Sequence, residues 1–266
     1  MRHLLPLLLM VGCAPLGGRS PEPPRPPSVR LVSYNIKHGL GMDGELDLAR
    51  VGDLLEGAGA EVVLLQEVDE RVERSGGVDQ AAALAARLGM EARFGPFMDY
   101  QGGRYGLAIL SALTVVDAEV IELPEGTREP RSALVVTLDA GGNLLRVANA
   151  HLDWLADDTR RVAQARALLE ALVGDAAGGG AQIPVVLGGD LNDVPGSPTL
   201  AVLQGWGAFR WLGPEAPTFP ADEPDRTLDH FLVHPVGAAS GAAVRVLDEP
   251  TVSDHRPVVL DLPLAP

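Results

Sequence analysis

Between residue 29 and about residue 262, short apolar runs alternate with amphipathic segments along the chain. Short runs rich in β-forming residues predict strands, and apolar residues spaced three and four apart predict helices. The predicted strands are residues 29–36, 61–67, 104–111, 114–122, 131–139, 143–151, 183–189, 228–233, 242–248 and 256–262. The predicted helices are residues 46–58, 78–88 and 157–173.

The order of these elements predicts the architecture. Strand–helix–strand units at both ends of the pattern flank hairpin-like strands in the middle. Because the elements do not alternate strictly, a single parallel sheet does not fit them. We therefore predict an α/β (α+β) fold in one domain, residues 29–266, with two mixed β-sheets packed face to face and helices outside.

The first 28 residues break the pattern. Residues 1–12 have a basic start and an apolar run too short for a bilayer, which needs roughly 20 residues, so they are typical of a secretory signal. The stretch Met10-Val-Gly-Cys13 resembles a bacterial lipobox, with Met10 where Leu is preferred. We expect residues 1–12 to be the signal, Cys13 to be lipidated, and the Pro-rich residues 13–28 to tether the domain to a membrane. The alternative is an ordinary signal with an incidental cysteine.

Composition adds limits on partners. Hydrophobic residues make up 46% of the chain, which supplies a full core, and the formal net charge is −15. Such a charge disfavours general binding to nucleic acid, although a local basic patch or a bound metal ion can overrule it. The chain has one lysine, Lys37, and no internal repeat, and a monomer is the default expectation.

Polar residues stand where the predicted apolar runs stop. A strand buried on both faces cannot hide a carboxylate cheaply, so six such strand ends are best explained by one shared pocket. These residues are Asn35, Gln66, Glu67, Asn149, His151, Asp190, Asn192, Asp229, Ser253, Asp254 and His255. Carboxylates and carboxamides without cysteine suit Mg²⁺ or Mn²⁺, and histidines move protons near neutral pH. Together these groups suit the attack of water on a phosphoester.

Seven motifs, "SYNIKHG", "LLQEVD", "RYGLAILS", "NAHLD", "GGDLNDVPGS", "TLDHFLV" and "SDHRPV", follow one another along residues 29–262. In this order they resemble the motifs of the endonuclease/exonuclease/phosphatase superfamily, which has the DNase I-like fold. The resemblance implies a four-layer α/β sandwich and metal-dependent hydrolysis of a phosphoester.

The resemblance also implies roles for individual residues. Metal binding is implied for Asn35, Glu67 and Asp254, with one or two Mg²⁺ or Mn²⁺ ions. Catalytic roles are implied for His151, Asp190, Asn192, Asp229 and His255. Among these, Asp190 and Asn192 orient the attacking water, while Asp229 fixes the tautomer of His255. The general base stays open between Asp190 and His255, and phosphate binding is expected from Arg131, Lys37 and His38.

Three functions remain open at this stage. The first is an extracytoplasmic, membrane-anchored phosphodiesterase that acts on a lipid headgroup or another small phosphodiester. The chain most resembles small bacterial metal-dependent hydrolases of this superfamily, which are similar to the hydrolase-like domain of eukaryotic proteins of GPI-anchor lipid remodelling. The second is a scavenging nuclease, for which the sequence offers only scattered arginines and no strong nucleic-acid signal. The third is a non-catalytic binding module, which the complete set of polar residues disfavours.

Overall fold

A computed structural model describes residues 28–174, 183–205 and 208–264. The described helices are α1 (Leu48–Ala58), α2 (Gln80–Leu88), α3 (Thr159–Val173) and α4 (Pro198–Gln204). The described strands are β1 (Ser28–Asn35), β2 (Val62–Glu70), β3 (Glu91–Tyr100), β4 (Gly103–Ser111), β5 (Thr114–Glu122), β6 (Ser132–Asp139), β7 (Leu144–His151), β8 (Val185–Asp190), β9 (Arg210–Gly213), β10 (Asp229–His234), β11 (Ala243–Val246) and β12 (Val258–Pro263).

The strands form two six-stranded sheets, in the orders β11-β12-β1-β2-β4-β3 and β5-β6-β7-β8-β10-β9. The pairs β1–β2 and β7–β8 are parallel, and the other neighbouring pairs are antiparallel, so both sheets are mixed. Their inner faces share a buried core that includes Leu64, Val147 and Phe231. The predicted pair of face-to-face mixed sheets is confirmed.

The helices cover the outer faces of the two sheets. Leu55 of α1 and Leu84 of α2 are buried in the apolar layer outside the first sheet. Leu168 of α3 and Leu200 of α4 are buried in the matching layer outside the second sheet. The result is helix, sheet, sheet, helix, which is the predicted four-layer sandwich.

Several elements differ from the sequence prediction. Strand β3 was not predicted, because Gly95 and Pro96 interrupt its pattern. An edge strand tolerates a proline, and the ladder shifts register between Pro96 and Met98. Helix α4 and strand β9 were not predicted either; Ser197 caps α4 and Pro198 occupies its first turn.

Helices α1 and α2 begin two residues later than predicted. The carboxylates of Asp47 and Asp79 accept hydrogen bonds from backbone N–H groups of the first turn, which fixes both starting points.

The proposed signal (1–12), Cys13 and almost all of the tether lie outside the described residues. Ser28, which the sequence assigned to the tether, instead pairs with Pro263 as the first residue of β1. Among the described residues, no helix is both long and apolar enough to cross a bilayer.

Candidate active site

A cavity of about 460 Å³ opens at the edge of the sandwich where β1, β2, β7 and β8 end. Seven of the residues singled out from the sequence line it: Glu67, Arg131, His151, Asp190, Asn192, Asp254 and His255. Asn35 and Asp229 are buried and contact these residues from outside the cavity lining. The structure thus brings together the candidate metal ligands and the candidate catalytic residues.

The structure does not place Lys37 and His38 in the cavity lining. The ammonium of Lys37 lies 2.8 Å from a carboxylate oxygen of Asp254, so it can act on the site through that residue. Burial, helped by Arg74, lowers the pKa of His38 to about 4, so its ring is neutral at neutral pH. A neutral ring cannot supply the positive charge of a phosphate clamp, and the role of both residues in substrate binding stays a prediction.

The backbone is strained at the site. Glu67 has a φ of +57° and lies in a β-bulge, where the ladder to β4 shifts register between Leu65 and Val68. Asn192 has a φ of +51°. Non-glycine residues rarely adopt such angles, and their concentration here is typical of functional sites, where the surrounding structure holds the strain. The bulge is what allows Glu67 to line the cavity from within a strand.

Gly189 allows β7 and β8 to approach each other at the site. Its φ is +138°, and a Cβ atom at this position would lie 1.9 Å from the carbonyl oxygen of Ala150. The neighbouring Gly188 has no room for a Cβ either, since the ring of Phe231 would be 2.6 Å away. This approach places His151 directly beside Asp190 in the parallel ladder.

Asn35 connects the two carboxylates on either side of it. Its Nδ2 donates to Oε1 of Glu67 at 3.2 Å and to Oδ2 of Asp190 at 3.1 Å. Its Oδ1 accepts a hydrogen bond from the backbone N–H of Lys37 at 3.1 Å. The carboxamide therefore fixes the separation between Glu67 and Asp190.

The carboxylates around Glu67 suit a divalent cation. Burial raises the pKa of Glu67, and the negative charge of Asp254 raises it further, although the hydrogen bond from Asn35 opposes the rise. A bound cation would relieve this repulsion, and the donor set is oxygen-only, as Mg²⁺ and Mn²⁺ prefer.

A second group, Asp190, Asp229 and His255, also has ligand atoms within 4.8 Å of one another. In that group, His255 and Asp229 are already hydrogen-bonded to each other, and Asp229 does not line the cavity. We therefore favour the oxygen ligands of Glu67, Asn35 and Asp254 as the cation site.

His255 is held by Asp229. The distance from Nδ1 of His255 to Oδ2 of Asp229 is 2.9 Å, and the same oxygen accepts a hydrogen bond from Oγ1 of Thr218 at 2.6 Å. Burial alone would lower the pKa of His255, but Asp229 and then Asp190 outweigh it and raise the pKa to about 10. His255 is therefore a cation at neutral pH.

Asp190 lies between two histidines that differ in charge. Its Oδ2 is 3.5 Å from Nε2 of His151 and 3.5 Å from Nε2 of His255. Burial raises the pKa of Asp190 to about 7, against the lowering effect of the His255 cation. Burial, Arg131 and His255 all lower the pKa of His151. One carboxylate thus faces a neutral imidazole on one side and an imidazolium on the other.

Arg131 presents buried donors that make no hydrogen bond at the site. Its side chain is 2% exposed, its guanidinium lies 5.3 Å from the ring centroid of Phe97, and its Nη1 is 3.3 Å from Glu129. Its buried Nε and Nη1 make no hydrogen bond among the described residues. Buried donors without partners are costly, and an anion in the cavity would satisfy them.

The sequence model of the endonuclease/exonuclease/phosphatase family matches residues 32–255 of this chain. The chain belongs to this family. Its members are phosphoester hydrolases, so the chain is an enzyme of this class. The family generally depends on a divalent metal ion, in keeping with the buried acidic and histidine residues described above.

Solved structures share the fold. The endonuclease/exonuclease/phosphatase from Beutenbergia cavernae is 24% identical with a TM-score of 0.68, and the match covers 91% of this chain and 72% of that one. The human Nocturnin catalytic domain is 22% identical with a TM-score of 0.67, over 90% and 95% of the two chains. A mannosyl-6-phosphatase from Bacteroides thetaiotaomicron is 17% identical with a TM-score of 0.69, over 88% and 99%.

The candidate site contains residues to which sequence reasoning gave no role. Tyr105 belongs to the "RYGLAILS" motif, and its ring lines the cavity with only 6% of the residue exposed. Burial raises its pKa, and the carboxylate of Glu67 adds to the rise. Thr218, which hydrogen-bonds Asp229, lies outside every motif, and a lone threonine in a loop gives no sequence signal.

Arg74 also lines the cavity. Its guanidinium donates to both carboxylate oxygens of the fully buried Asp69, at 2.9 and 2.8 Å. It lies 4.8 Å and 5.0 Å from the ring centroids of Tyr100 and Tyr105. The bidentate pair and the two rings fix the guanidinium in one position at the cavity wall.

Proposed function

We propose that this protein is a Mg²⁺- or Mn²⁺-dependent phosphodiesterase that hydrolyses a small phosphodiester, such as a lipid headgroup, outside the cytoplasm. The observation that carries the proposal is the surroundings of Asp190. A carboxylate with a pKa of about 7 lies between neutral His151 and cationic His255, next to the oxygen ligands around Glu67.

These groups suit the in-line attack of water on phosphorus. Asp190, once ionised, accepts a proton from the water while the water oxygen forms a new bond to phosphorus. The phosphorus–oxygen ester bond breaks on the opposite side of the phosphorus, the leaving oxygen takes a proton from solvent water to become an alcohol, and Asp190 later releases its proton to solvent. Because the pKa of Asp190 is close to neutral, the same group can accept the proton and release it again at neutral pH.

The two histidines and Arg131 contact the phosphate in this proposal. The imidazolium of His255 donates from Nε2 to a phosphoryl oxygen, while Asp229 keeps its Nδ1 occupied. Arg131 supplies its buried Nε, which makes no hydrogen bond among the described residues, and its charge beyond the ion pair with Glu129, while His151 supports the opposite side of the phosphate. A divalent cation held by Glu67, Asn35 and Asp254 would neutralise the charge that develops on the phosphoryl group.

The size of the cavity and the net charge of the chain favour a small substrate. A cavity of about 460 Å³ is within the range of small-molecule sites, roughly 300–1,000 Å³. A net charge of −15 disfavours binding to nucleic-acid backbones, because such binding depends on several contacts from Lys or Arg to phosphates. Trp154, which is 49% exposed in the cavity lining, offers an apolar surface beside the site. A nuclease activity is the second candidate, because Arg74, Arg131 and Arg226 line the cavity and a local basic patch can overrule the net charge.

Substrate panels test the proposal. Residues 28–266 would be assayed with Mg²⁺ and with Mn²⁺ on bis-p-nitrophenyl phosphate, a glycerophosphodiester, phospholipid vesicles and plasmid DNA. We expect the small diesters to be hydrolysed, and Asp190→Asn to abolish the activity without loss of the folded circular-dichroism spectrum. Cleavage of DNA alone would favour the nuclease, and no cleavage of any substrate would favour a binding module.

The membrane location rests on the N-terminal sequence. We propose that Cys13 is lipidated and that residues 13–27 tether the domain to the outside of a bacterial membrane. In a bacterial host, Cys13→Ser should release the full-length protein from the membrane fraction. Ser20→Ala in the same segment is the matched control and should leave the protein membrane-bound. Membrane association of the Cys13→Ser variant would contradict the lipid anchor.

A further inference from the structure

A short hairpin, residues 218–226, lies beside the active site between β9 and β10. Phe219 and Arg226 face each other in it and exchange two backbone hydrogen bonds of 3.0 Å. The backbone N–H of Thr218 donates to the carbonyl of Arg226 at 2.7 Å, and that of Asp225 donates to the carbonyl of Phe219 at 3.0 Å. Four backbone hydrogen bonds therefore hold the two arms of the hairpin together.

The hairpin is also fixed to the segment that carries His255. The N–H of Ala221 donates to the carbonyl of Asp254 at 2.8 Å, and the N–H of Arg256 donates to the carbonyl of Thr218 at 2.7 Å. The Nε of Arg256 donates to the carbonyl of Ala221 at 2.7 Å. These contacts make the hairpin a rigid extension of the active site.

The hairpin presents a cation next to His255. The ring centroids of Phe219 and His255 are 4.8 Å apart, and the guanidinium carbon of Arg226 is 4.8 Å from the Phe219 centroid. Taken together, these contacts put the guanidinium within about 10 Å of the imidazole. Both Phe219 and Arg226 line the cavity. A substrate whose phosphate contacts His255 can therefore place another group within reach of Arg226.

Arg226 differs from the other two arginines that line the cavity in the described part of the chain. Arg74 uses Nε and Nη2 in its bidentate pair with buried Asp69, and the Arg131 side chain is buried and ion-paired with Glu129. The Arg226 side chain is 53% exposed, and its ion pair is with its own neighbour Asp225, which is 74% exposed. Exposed pairs of this kind contribute little, so Asp225 is easily displaced by a substrate anion.

We propose that Arg226 is a specificity-determining residue that binds a second anionic group of the substrate, a carboxylate or a phosphate, on the His255 side of the scissile phosphate. This inference rests on the proposed function and narrows its substrate class to phosphoesters that carry another anion within reach of Arg226. The Phe219 ring holds the guanidinium in place, so that its remaining donors are oriented before the substrate arrives. An arginine in the cavity lining attracts such a group locally, against the negative net charge of the protein.

The test compares two ligands that differ in one anionic group. Glycerol 3-phosphate and 3-phosphoglycerate are titrated into the Mg²⁺-loaded protein by calorimetry, and the ratio of their dissociation constants is the readout. We expect 3-phosphoglycerate to bind the wild type roughly tenfold more tightly, because a charge-assisted hydrogen bond is added. Arg226→Gln should reduce this ratio to about one, and Arg226→Lys should leave an intermediate ratio, since Lys keeps the charge but not the planar fork.

The control is Arg210→Gln, which removes an exposed arginine of β9 outside the cavity lining and should keep the wild-type ratio. Equal binding of both ligands to the wild type, or an unchanged ratio in Arg226→Gln, overturns the inference. If Arg226→Gln fails to fold, Arg226→Lys decides between the same outcomes. Hydrolysis of bis-p-nitrophenyl phosphate without the ligand preference contradicts only the role of Arg226. The preference without any hydrolysis supports the anion site and contradicts the proposed function.

Discussion

Asp229 hydrogen-bonds the Nδ1 side of His255 across 2.9 Å, and both residues are buried. This contact directs the other ring nitrogen, Nε2, toward Asp190, which lies 3.5 Å away. Asp229 begins β10 in the second sheet, and His255 lies in the loop before β12 of the first sheet. The pair therefore forms only when the two sheets are packed together. The orientation and the charge of His255 therefore depend on Asp229.

The first prediction is that Asp229→Asn lowers kcat by roughly 10²- to 10³-fold, which is the range attributed to the loss of one preorganised donor to the charge that develops in the transition state. The amide retains the shape of the side chain but removes the negative charge that keeps His255 protonated. The measurement is steady-state kinetics at neutral pH, with the thermal unfolding curve as a check of folding. Asp222→Asn, at an exposed position in the hairpin, should keep full activity. A kcat within a few-fold of wild type in Asp229→Asn would contradict the role of this pair.

The second prediction concerns metal removal. A chelator should abolish hydrolysis, and Mg²⁺ or Mn²⁺ should restore it. Because the cation binds the folded state, a concentration of about 100 times its Kd should stabilise the protein by about 2.7 kcal/mol, which a thermal melt detects. Glu67→Gln should lose both the activity and the metal-induced rise in Tm. Glu73→Gln, an exposed residue outside the cavity lining, is the control and should keep both. Full activity in the chelated wild type would contradict the cation site.

Sequence patterns predicted the central strands and their polar ends, because buried runs that stop at a carboxylate are visible in one dimension. Glu67 and Asp190 belong to different sheets: Glu67 lies near the end of β2, the parallel neighbour of β1, and Asp190 ends β8, the parallel neighbour of β7. They converge because the packing of the two sheets brings these strand ends to the same edge of the sandwich. Strand β3 escaped prediction because Pro96 breaks its pattern, and an edge position tolerates it only in the context of the sheet. Helix α4 escaped prediction for a different reason. Ser197 and Pro198 mark its start, but a helix of seven residues is too short for its apolar pattern to be identified.

The parts of the site that escaped prediction depend on contacts between distant segments. Thr218 is 11 residues from Asp229 and has no motif, yet it donates to the carboxylate that holds His255. The charge states of His151 and His255 are equally invisible in sequence. Burial and Arg131 keep one ring neutral, whereas Asp229 and Asp190 keep the other ring charged.

The third prediction is a pH-dependent contribution to stability from Asp261. This carboxylate on β12 lies 2.6 Å from Nε of Arg30 on β1 and 2.8 Å from Nη1 of Arg245 on β11. The hydrogen bond from Arg30, more than any other contact, lowers the pKa of Asp261. A carboxyl group whose folded pKa lies below its unfolded value of about 3.9 stabilises the protein above that pH. The contribution is lost as the pH falls through the folded pKa.

Asp261→Asn should therefore lower the free energy of unfolding by about 0.5–1 kcal/mol at neutral pH, a value discounted for the partial exposure of the pair. Urea unfolding at neutral pH and at about pH 3.5 measures the difference, which should shrink at the lower pH. Asp248→Asn, at a carboxylate that is 87% exposed, should change the stability little at either pH. An equal loss at both pH values for Asp261→Asn would show that packing, not charge, accounts for it.

The fourth prediction separates two glycines near Asp190. In Gly189→Ala, the added Cβ would lie 1.9 Å from the Ala150 carbonyl oxygen, and β7 and β8 must separate to accommodate it. We expect a loss of about 3 kcal/mol or more in the free energy of unfolding. Gly196 also has a positive φ, +84°, but nothing lies within 4 Å of its Cβ position, so Gly196→Ala should cost only the left-handed backbone strain, about 1–2 kcal/mol.

Chemical denaturation of the two variants measures both losses, and the kinetics of each folded variant measure the site. Since the approach of β7 and β8 aligns His151 with Asp190, Gly189→Ala should also reduce kcat under conditions in which it remains folded. Gly196→Ala should retain activity. Equal losses of stability in the two variants would mean that β8 can shift without affecting its neighbour. The close approach at Gly189 would then not be what positions Asp190.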